Sequence, residues 1–250
     1  MIRLRTRLAA ATVGAGLILA IPAAALAADS DSTRPPRDRT RPALAEPSRD
    51  PEDIRARCRE AIDKRLTAMD VAADRLAEAR HVTDDHEATL SGILSDTGAS
   101  LTALDGEIVA DTEAEALRAH CKSIFEDHRV FALVLPRTRL VVGSDTAVAA
   151  TGRFDQVADR IENAIDEAEA AGKDVTQARA DLEAMRAEIN SAEASATGVP
   201  DGILGLTPAD WNADHEILSP AREAMRSARG DLKAARDLGR SIIASLKASV

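Results

Sequence analysis

Aromatic side chains are scarce in this chain of 250 residues, which has one tryptophan, three phenylalanines and no tyrosine. Extracellular sugar-binding sites need aromatic faces to stack against, and so few aromatic residues do not supply such a platform. The sequence also lacks a G-x-S-x-G nucleophile motif, an H-E-x-x-H zinc motif and a glycine-rich phosphate loop. We therefore expect neither an enzyme nor a cofactor.

Histidine and cysteine, the ligands of most zinc sites, are few as well. His120 and His128 lie about two turns apart on a predicted helix, with Asp127 beside the second. With only these residues, a partly exposed surface pair is the expected arrangement, and ligands on one helix face for a metal ion are the alternative. We predict no metal site.

The chain has no excess of positive charge. Its 42 acidic residues outnumber its 32 lysines and arginines, which gives a formal net charge of -10. Removal of residues 1–27 takes away three arginines and no acid, so the net charge becomes -13. Nucleic acid attracts basic surfaces. We expect no nucleic-acid partner.

Only one long apolar run occurs, from Leu8 to Ile21, and it follows a positively charged head of three arginines. The run falls short of the roughly 20 residues that a spanning helix needs. Ala25-Leu26-Ala27 is typical of a signal-peptide cleavage site. Residues 1–27 are therefore predicted to be a signal peptide, and the mature protein is predicted to be secreted or envelope-associated without a stable membrane span. An uncleaved N-terminal anchor is the alternative.

Residues 28–52 differ in composition from the rest of the chain, because half of the ten prolines lie there. Arginine, aspartate, serine and threonine fill most of the remaining positions. Such a segment has too little apolar surface to fold. It is predicted to be a disordered linker.

Beyond this linker, apolar residues recur in alternating steps of three and four, the pattern of helices that pack along coiled-coil seams. The most regular seam comprises Val175, Ala178, Leu182, Met185, Ile189, Ala192 and Ala196. The pattern predicts six helices, of which the fourth begins near Phe154 and the sixth is the longest.

The predicted fold is all-α: an elongated antiparallel helical bundle. Short connections favour two consecutive three-helix units, residues 53–135 and 136–250, joined through a buried helical segment at Pro136. A single core of six helices is the alternative. The oligomeric state stays open.

The two cysteines, Cys58 and Cys121, lie on the inward faces of the first and third predicted helices. In an up-down-up bundle these helices are parallel, and an exported chain meets oxidising conditions. A Cys58–Cys121 disulfide is therefore predicted. The alternative is a reactive thiol or a metal-binding pair.

Several short motifs accompany the cysteines in residues 53–250. They are Ile62-Asp63-Lys64-Arg65-Leu66 after Cys58, Leu117-Arg118, Cys121, Ile124, the run 129–136, Gly172-Lys173-Asp174-Val175, and Leu206-Thr207-Pro208-Ala209-Asp210. With these motifs the chain resembles uncharacterised secreted, Ala-rich, coiled-coil-like proteins of high-GC Gram-positive bacteria. The resemblance implies export and an all-helical body, and it supplies no catalytic residues.

One candidate site remains, around Pro136. Arg129, Arg137, Arg139 and Arg153 gather along the sequence there, in an otherwise acidic chain. A broken helix at Pro136 would expose backbone groups that bind anions. The four arginines are therefore predicted to form an anion-binding or partner-docking site.

Phe131 and Phe154 would add apolar surface to this site. The alternative is that the arginines form ion pairs and brace the junction of the two units. The acids available for such pairs are Asp127, Asp145 and Asp155.

Together these features favour a non-enzymatic helical module, structural or interacting, of the cell envelope, with an unknown envelope or extracellular macromolecule as its partner. The alternative is an extracellular bundle that binds a small ligand or an ion. A cavity with convergent polar groups would favour the small ligand, and an exposed apolar stripe on a solid core would favour the macromolecule.

Overall fold

The computed structural model describes residues 50–248, so the predicted signal peptide and most of the predicted linker lie outside it. Within residues 50–248 the chain is helical and contains no strand, which confirms the all-α prediction. The helices are α1 (Pro51–Ala77), α2 (Asp84–Ala110), α3 (Ala114–Glu126), a π-helical segment (Val130–Val134), α4 (Leu135–Ala170), α5 (Thr176–Thr197), α6 (Val199–Ile203), α7 (Pro208–Ala213) and α8 (Ser219–Ala248).

α1 begins two residues earlier than the sequence pattern indicated. The side chain of Asp50 accepts a hydrogen bond from the backbone N–H of Glu52, and Pro51 occupies the first turn. Proline is well suited to this position because the first N–H groups of a helix have no partner within it. Residues 51 and 52 therefore belong to α1 and not to the linker.

The helix that contains Pro136 is also longer than predicted. α4 begins at Leu135 instead of near Phe154, and its 36 residues make it longer than α8. Before it, Arg129 adopts a left-handed conformation with φ 44° and the π-helical segment leads into α4. Pro136 thus lies in a first turn, where its missing N–H is tolerated, and the helix continues beyond it.

The first part of the described chain packs α1 against α2 and α3. The side chains that fill this region are fully buried leucines and isoleucines. They include Ile62, Leu90, Leu101, Ile108, Leu117 and Ile124. The same cluster continues into the π-helical segment, the first half of α4 and the beginning of α8.

A second cluster lies where α4, α5 and α8 pack together. The regular seam of α5 is buried from Val175 to Ala196. A side-chain carbon added at Gly239 of α8 would lie 3.3 Å from Sδ of Met185, so glycine permits a close approach of α8 to α5. α6 and α7 form the connection between α5 and α8.

The predicted boundary at residues 135/136 falls one residue inside α4. Apolar residues of the first cluster lie on both sides of it, and residues 50–248 belong to one compact unit. Among the described helices, none is long and apolar enough to cross a membrane.

Candidate functional site

The two cysteines come together between α1 and α3. Cys58 and Cys121 lie at disulfide distance, with their Cα atoms 5.2 Å apart and a sequence separation of 63. Cys58 is almost fully buried. The pair ties the two helices together and leaves no free thiol among the described residues.

Arg137 points into the protein. Its side chain is only 5% exposed, and its Nη1 donates hydrogen bonds to the carbonyl oxygens of Leu204 and Leu206, at 3.1 and 2.6 Å. These carbonyls lie just after α6. Burial lowers the pKa of Arg137, and its Nε has no hydrogen-bond partner among the described atoms. Arg137 therefore fastens the α6–α7 connection to α4.

Two other candidate arginines contact side chains that are not acidic, at separate places. Nε of Arg129 donates to Oδ1 of Asn212 at 2.6 Å, and Asn212 in turn donates to the carbonyl of Glu126 at the end of α3. Nη2 of Arg153 lies 2.8 Å from Nε2 of His81. Neither arginine reaches an acidic side chain within residues 50–248.

The buried acid near the joint has other partners. Asp145 accepts hydrogen bonds from the backbone N–H of Thr83 and from Nδ1 of His86, at 3.0 and 2.9 Å. Thr83 is the N-cap of α2, so the carboxylate lies at the positive end of that helix. Asp145 therefore joins α4 to α2, and it does not bind the candidate arginines.

The four arginines do not form one cluster. Arg137 is buried, whereas Arg139 and Arg153 are exposed on a similar face of α4. Their separation of 14 positions corresponds to about 21 Å along the helix. Of the four, Arg139 lines a cavity at the surface.

That cavity is a surface groove of about 510 Å³ between α1 and α4. We call it the α1–α4 groove. Its walls are mainly apolar, and they comprise Thr67, Ala68, Val71, Ala72, Arg75 and Leu76 of α1, Phe131 of the π-helical segment, and Leu135, Thr138, Arg139, Val142 and Gly143 of α4. The Thr138 hydroxyl already donates to the carbonyl of Val134. Few polar groups are therefore free to orient a small ligand.

Large apolar side chains are exposed at and beside this groove. Four stand out in the described chain as large and exposed: Val71, Val109, Phe125 and Phe131. Val71 and Phe131 line the groove, and Phe125 contacts the same Arg65 guanidinium as Phe131. Exposed apolar surface concentrated in one place is typical of interaction sites.

Arg65 holds these two phenylalanines in place. Its guanidinium carbon lies 4.3 Å from the ring centre of Phe125 and 5.3 Å from that of Phe131, within the range of cation–π attraction. Its Nη1 donates to the carbonyl of Ala61 at 2.7 Å, and burial lowers its pKa. Sequence reasoning missed this contact, because nothing in the spacing shows that α1 brings Arg65 between residues 125 and 131.

The rim of the groove carries positive charge. Arg75 and Arg139 both line it and are exposed. Within residues 50–248, neither guanidinium has an ion-pair or hydrogen-bond partner. Their charges are thus available to a bound molecule.

The histidines have protein partners. His120 lies 3.4 Å from Asp111 and 3.7 Å from Glu107, while the buried His128 contacts the Ser100 hydroxyl at 3.1 Å. Across the described residues, no group of three or more His, Cys, Asp and Glu side chains is arranged to hold a metal ion.

In comparisons with protein-family models, with curated proteins and with solved structures, nothing matches this chain.

Proposed function

We propose that the mature protein is a secreted or envelope-associated, non-enzymatic helical module that binds another macromolecule through the α1–α4 groove. The observation that carries the proposal is the groove itself, an apolar surface with Val71 42% and Phe131 53% exposed. A contiguous apolar patch with a polar rim is a feature of protein interaction sites. The disulfide and the buried clusters supply a firm support for this surface.

The alternative function, binding of a small ligand, is less well supported. The groove volume of about 510 Å³ falls within the range of ligand pockets. A ligand pocket, however, also needs a few converging polar groups to fix the orientation of its ligand. The groove offers two threonines and two rim arginines, and one threonine hydroxyl is already bonded.

Site-specific photo-crosslinking tests the proposal. A photoreactive amino acid replaces Val71 in the groove, and in a matched control it replaces Val109, which is 52% exposed at the end of α2. Both variants are exposed to a cell-envelope fraction and irradiated. We expect a macromolecular adduct from position 71 that an excess of unlabelled protein removes.

The Val109 control distinguishes binding in the groove from nonspecific adsorption to exposed apolar side chains. Equal adducts from positions 71 and 109, or none from position 71, would contradict the proposed function. An adduct of small mass at position 71 alone would favour the small-ligand alternative.

A further inference from the structure

We infer, building on the proposed function, that the occupant of the α1–α4 groove is a short amphipathic helix with acidic flanks on a partner protein. Two helices form the long walls of the groove, and an amphipathic helix fits such a groove with the apolar residues of one face. The occupant follows from the length of the groove, its charges and the exclusion of two other candidates.

The length of the groove matches a short helix. Its α1 wall runs from Thr67 to Leu76 and its α4 wall from Leu135 to Gly143. At 1.5 Å per residue these walls are about 12–14 Å long, which equals between two and three helical turns. Such a helix presents two to three apolar anchors at i, i+3 or i+4, and i+7.

The charges select acidic flanks. Arg75 lies on the α1 wall and Arg139 on the α4 wall, so one cation stands on each side of the groove. Neither is neutralised within the described part of the chain. Opposite charges around an apolar contact raise the association rate and disfavour wrong partners. A helix with glutamate or aspartate on both flanks can form an ion pair with the arginine on each wall.

The side chain of Phe131 is positioned for such a contact before a partner binds. It is half exposed, yet its ring is held by Arg65, which is itself fixed to the Ala61 carbonyl. An aromatic side chain that is ordered before binding loses little entropy when a partner covers it. Phe131 is therefore the aromatic anchor of the groove.

The N-terminal segment of the mature chain does not fit. Leu44 is its nearest large apolar residue, and the six residue steps from it to Asp50 span at most about 21 Å. Thr67, at the near end of the groove, is 17 residues along α1, or about 25 Å away. Residues 28–41 contain no leucine, isoleucine, valine, methionine or phenylalanine.

A second copy fits poorly as well. Outside the groove region, Val109 is the only other large apolar side chain that stands out as exposed in residues 50–248, so a copy has no apolar helix face to insert. Two grooves facing each other would place four rim arginines in one contact. Like charges opposed in this way are unfavourable.

Defined peptides test the inference on the mature protein, residues 28–250. One probe is a fluorescent 12-residue helical peptide with leucines at i, i+4 and i+7 and glutamates on both flanks. The second probe has lysine at every glutamate position. We expect the glutamate peptide to bind at least about tenfold more tightly in fluorescence anisotropy, with weaker binding as salt is added.

Charge reversal in the protein supplies the decisive comparison. The double variant Arg75→Glu, Arg139→Glu should prefer the lysine peptide, whereas Arg57→Glu, Arg118→Glu should keep the original preference. The control arginines are also exposed and lie outside the groove lining. Circular dichroism confirms that both variants are folded.

Each outcome decides the inference. A preference that switches only in the groove variant supports it. Equal binding of both peptides, no binding of either, or a concentration-dependent dimer that blocks binding would overturn it. A selective adduct from position 71 combined with failure of both peptides would refute the helix as occupant and leave the proposed function standing.

Discussion

Replacement of Arg137 by methionine should destabilise the protein, whereas the same replacement of Arg139 should not. Arg137 is 5% exposed and donates two hydrogen bonds to the carbonyls that follow α6. Methionine fills a similar volume and donates none. Arg139 is exposed and has no bonded partner within the described chain, which makes it a matched control.

The magnitude follows from the contacts. Each hydrogen bond from a charged donor contributes roughly 1.5–3 kcal/mol, so two contribute about 3–6 kcal/mol. Part of this is offset, because the arginine is desolvated and its buried Nε is unpaired, at a cost of about 1–3 kcal/mol. The net loss for Arg137→Met is therefore about 2–3 kcal/mol, with the low ends and the high ends of the two ranges taken together. For a chain of this size it corresponds to a fall in Tm of roughly 4–12 °C.

Thermal and urea unfolding, followed by circular dichroism, measure this difference directly. Arg139→Met should change the free energy of unfolding by less than about 0.5 kcal/mol, as surface substitutions usually do. Equal stability of the two variants would show that Arg137 does not hold the α6–α7 connection. The prediction that Arg137 and Arg139 belong to one docking site would then regain support.

Three further predictions concern the covalent link and two glycines. Replacing both Cys58 and Cys121 by alanine should lower the free energy of unfolding by about 4 kcal/mol. This value comes from the chain-entropy model, because the link joins residues at a sequence separation of 63. An unchanged urea midpoint would contradict this prediction. Gly92→Ala in α2, where an added side-chain carbon meets nothing within 4 Å, should stabilise by up to about 1 kcal/mol. Gly172→Ala, at φ +81°, should instead destabilise by roughly 1–2 kcal/mol in the same urea titration, and a gain there would refute the reasoning.

Periodicity alone was enough to predict the all-α class and the buried seam of α5. Leu182, Met185 and Ile189 are buried because their spacing keeps one helix face towards the core. The predicted start of α4 was wrong, and the reason is physical. Pro136 disrupts a helix interior but is favoured in a first turn, and only the preceding π-helical segment shows which of the two applies.

The candidate site was harder to predict, because it depends on which helix faces meet. The proximity of Arg137 and Arg139 in sequence suggested one site, but two residues apart on a helix means roughly opposite faces. One points inward and the other lines the groove. The contribution of α1 to that groove, and the contact of Arg65 with Phe125 and Phe131, connect residues about 60 positions apart.

The continuous course of α4 has a mechanical consequence. The same helix supplies Val141 and Ala147 to the first apolar cluster and Ile161 and Ile165 to the second, without a break between them. Loosening of either cluster therefore removes support from a helix that the other needs, which favours one cooperative unfolding transition. A molecule bound beside Leu135 would then raise the resistance of the distant α5–α8 contact to unfolding, although it touches neither helix.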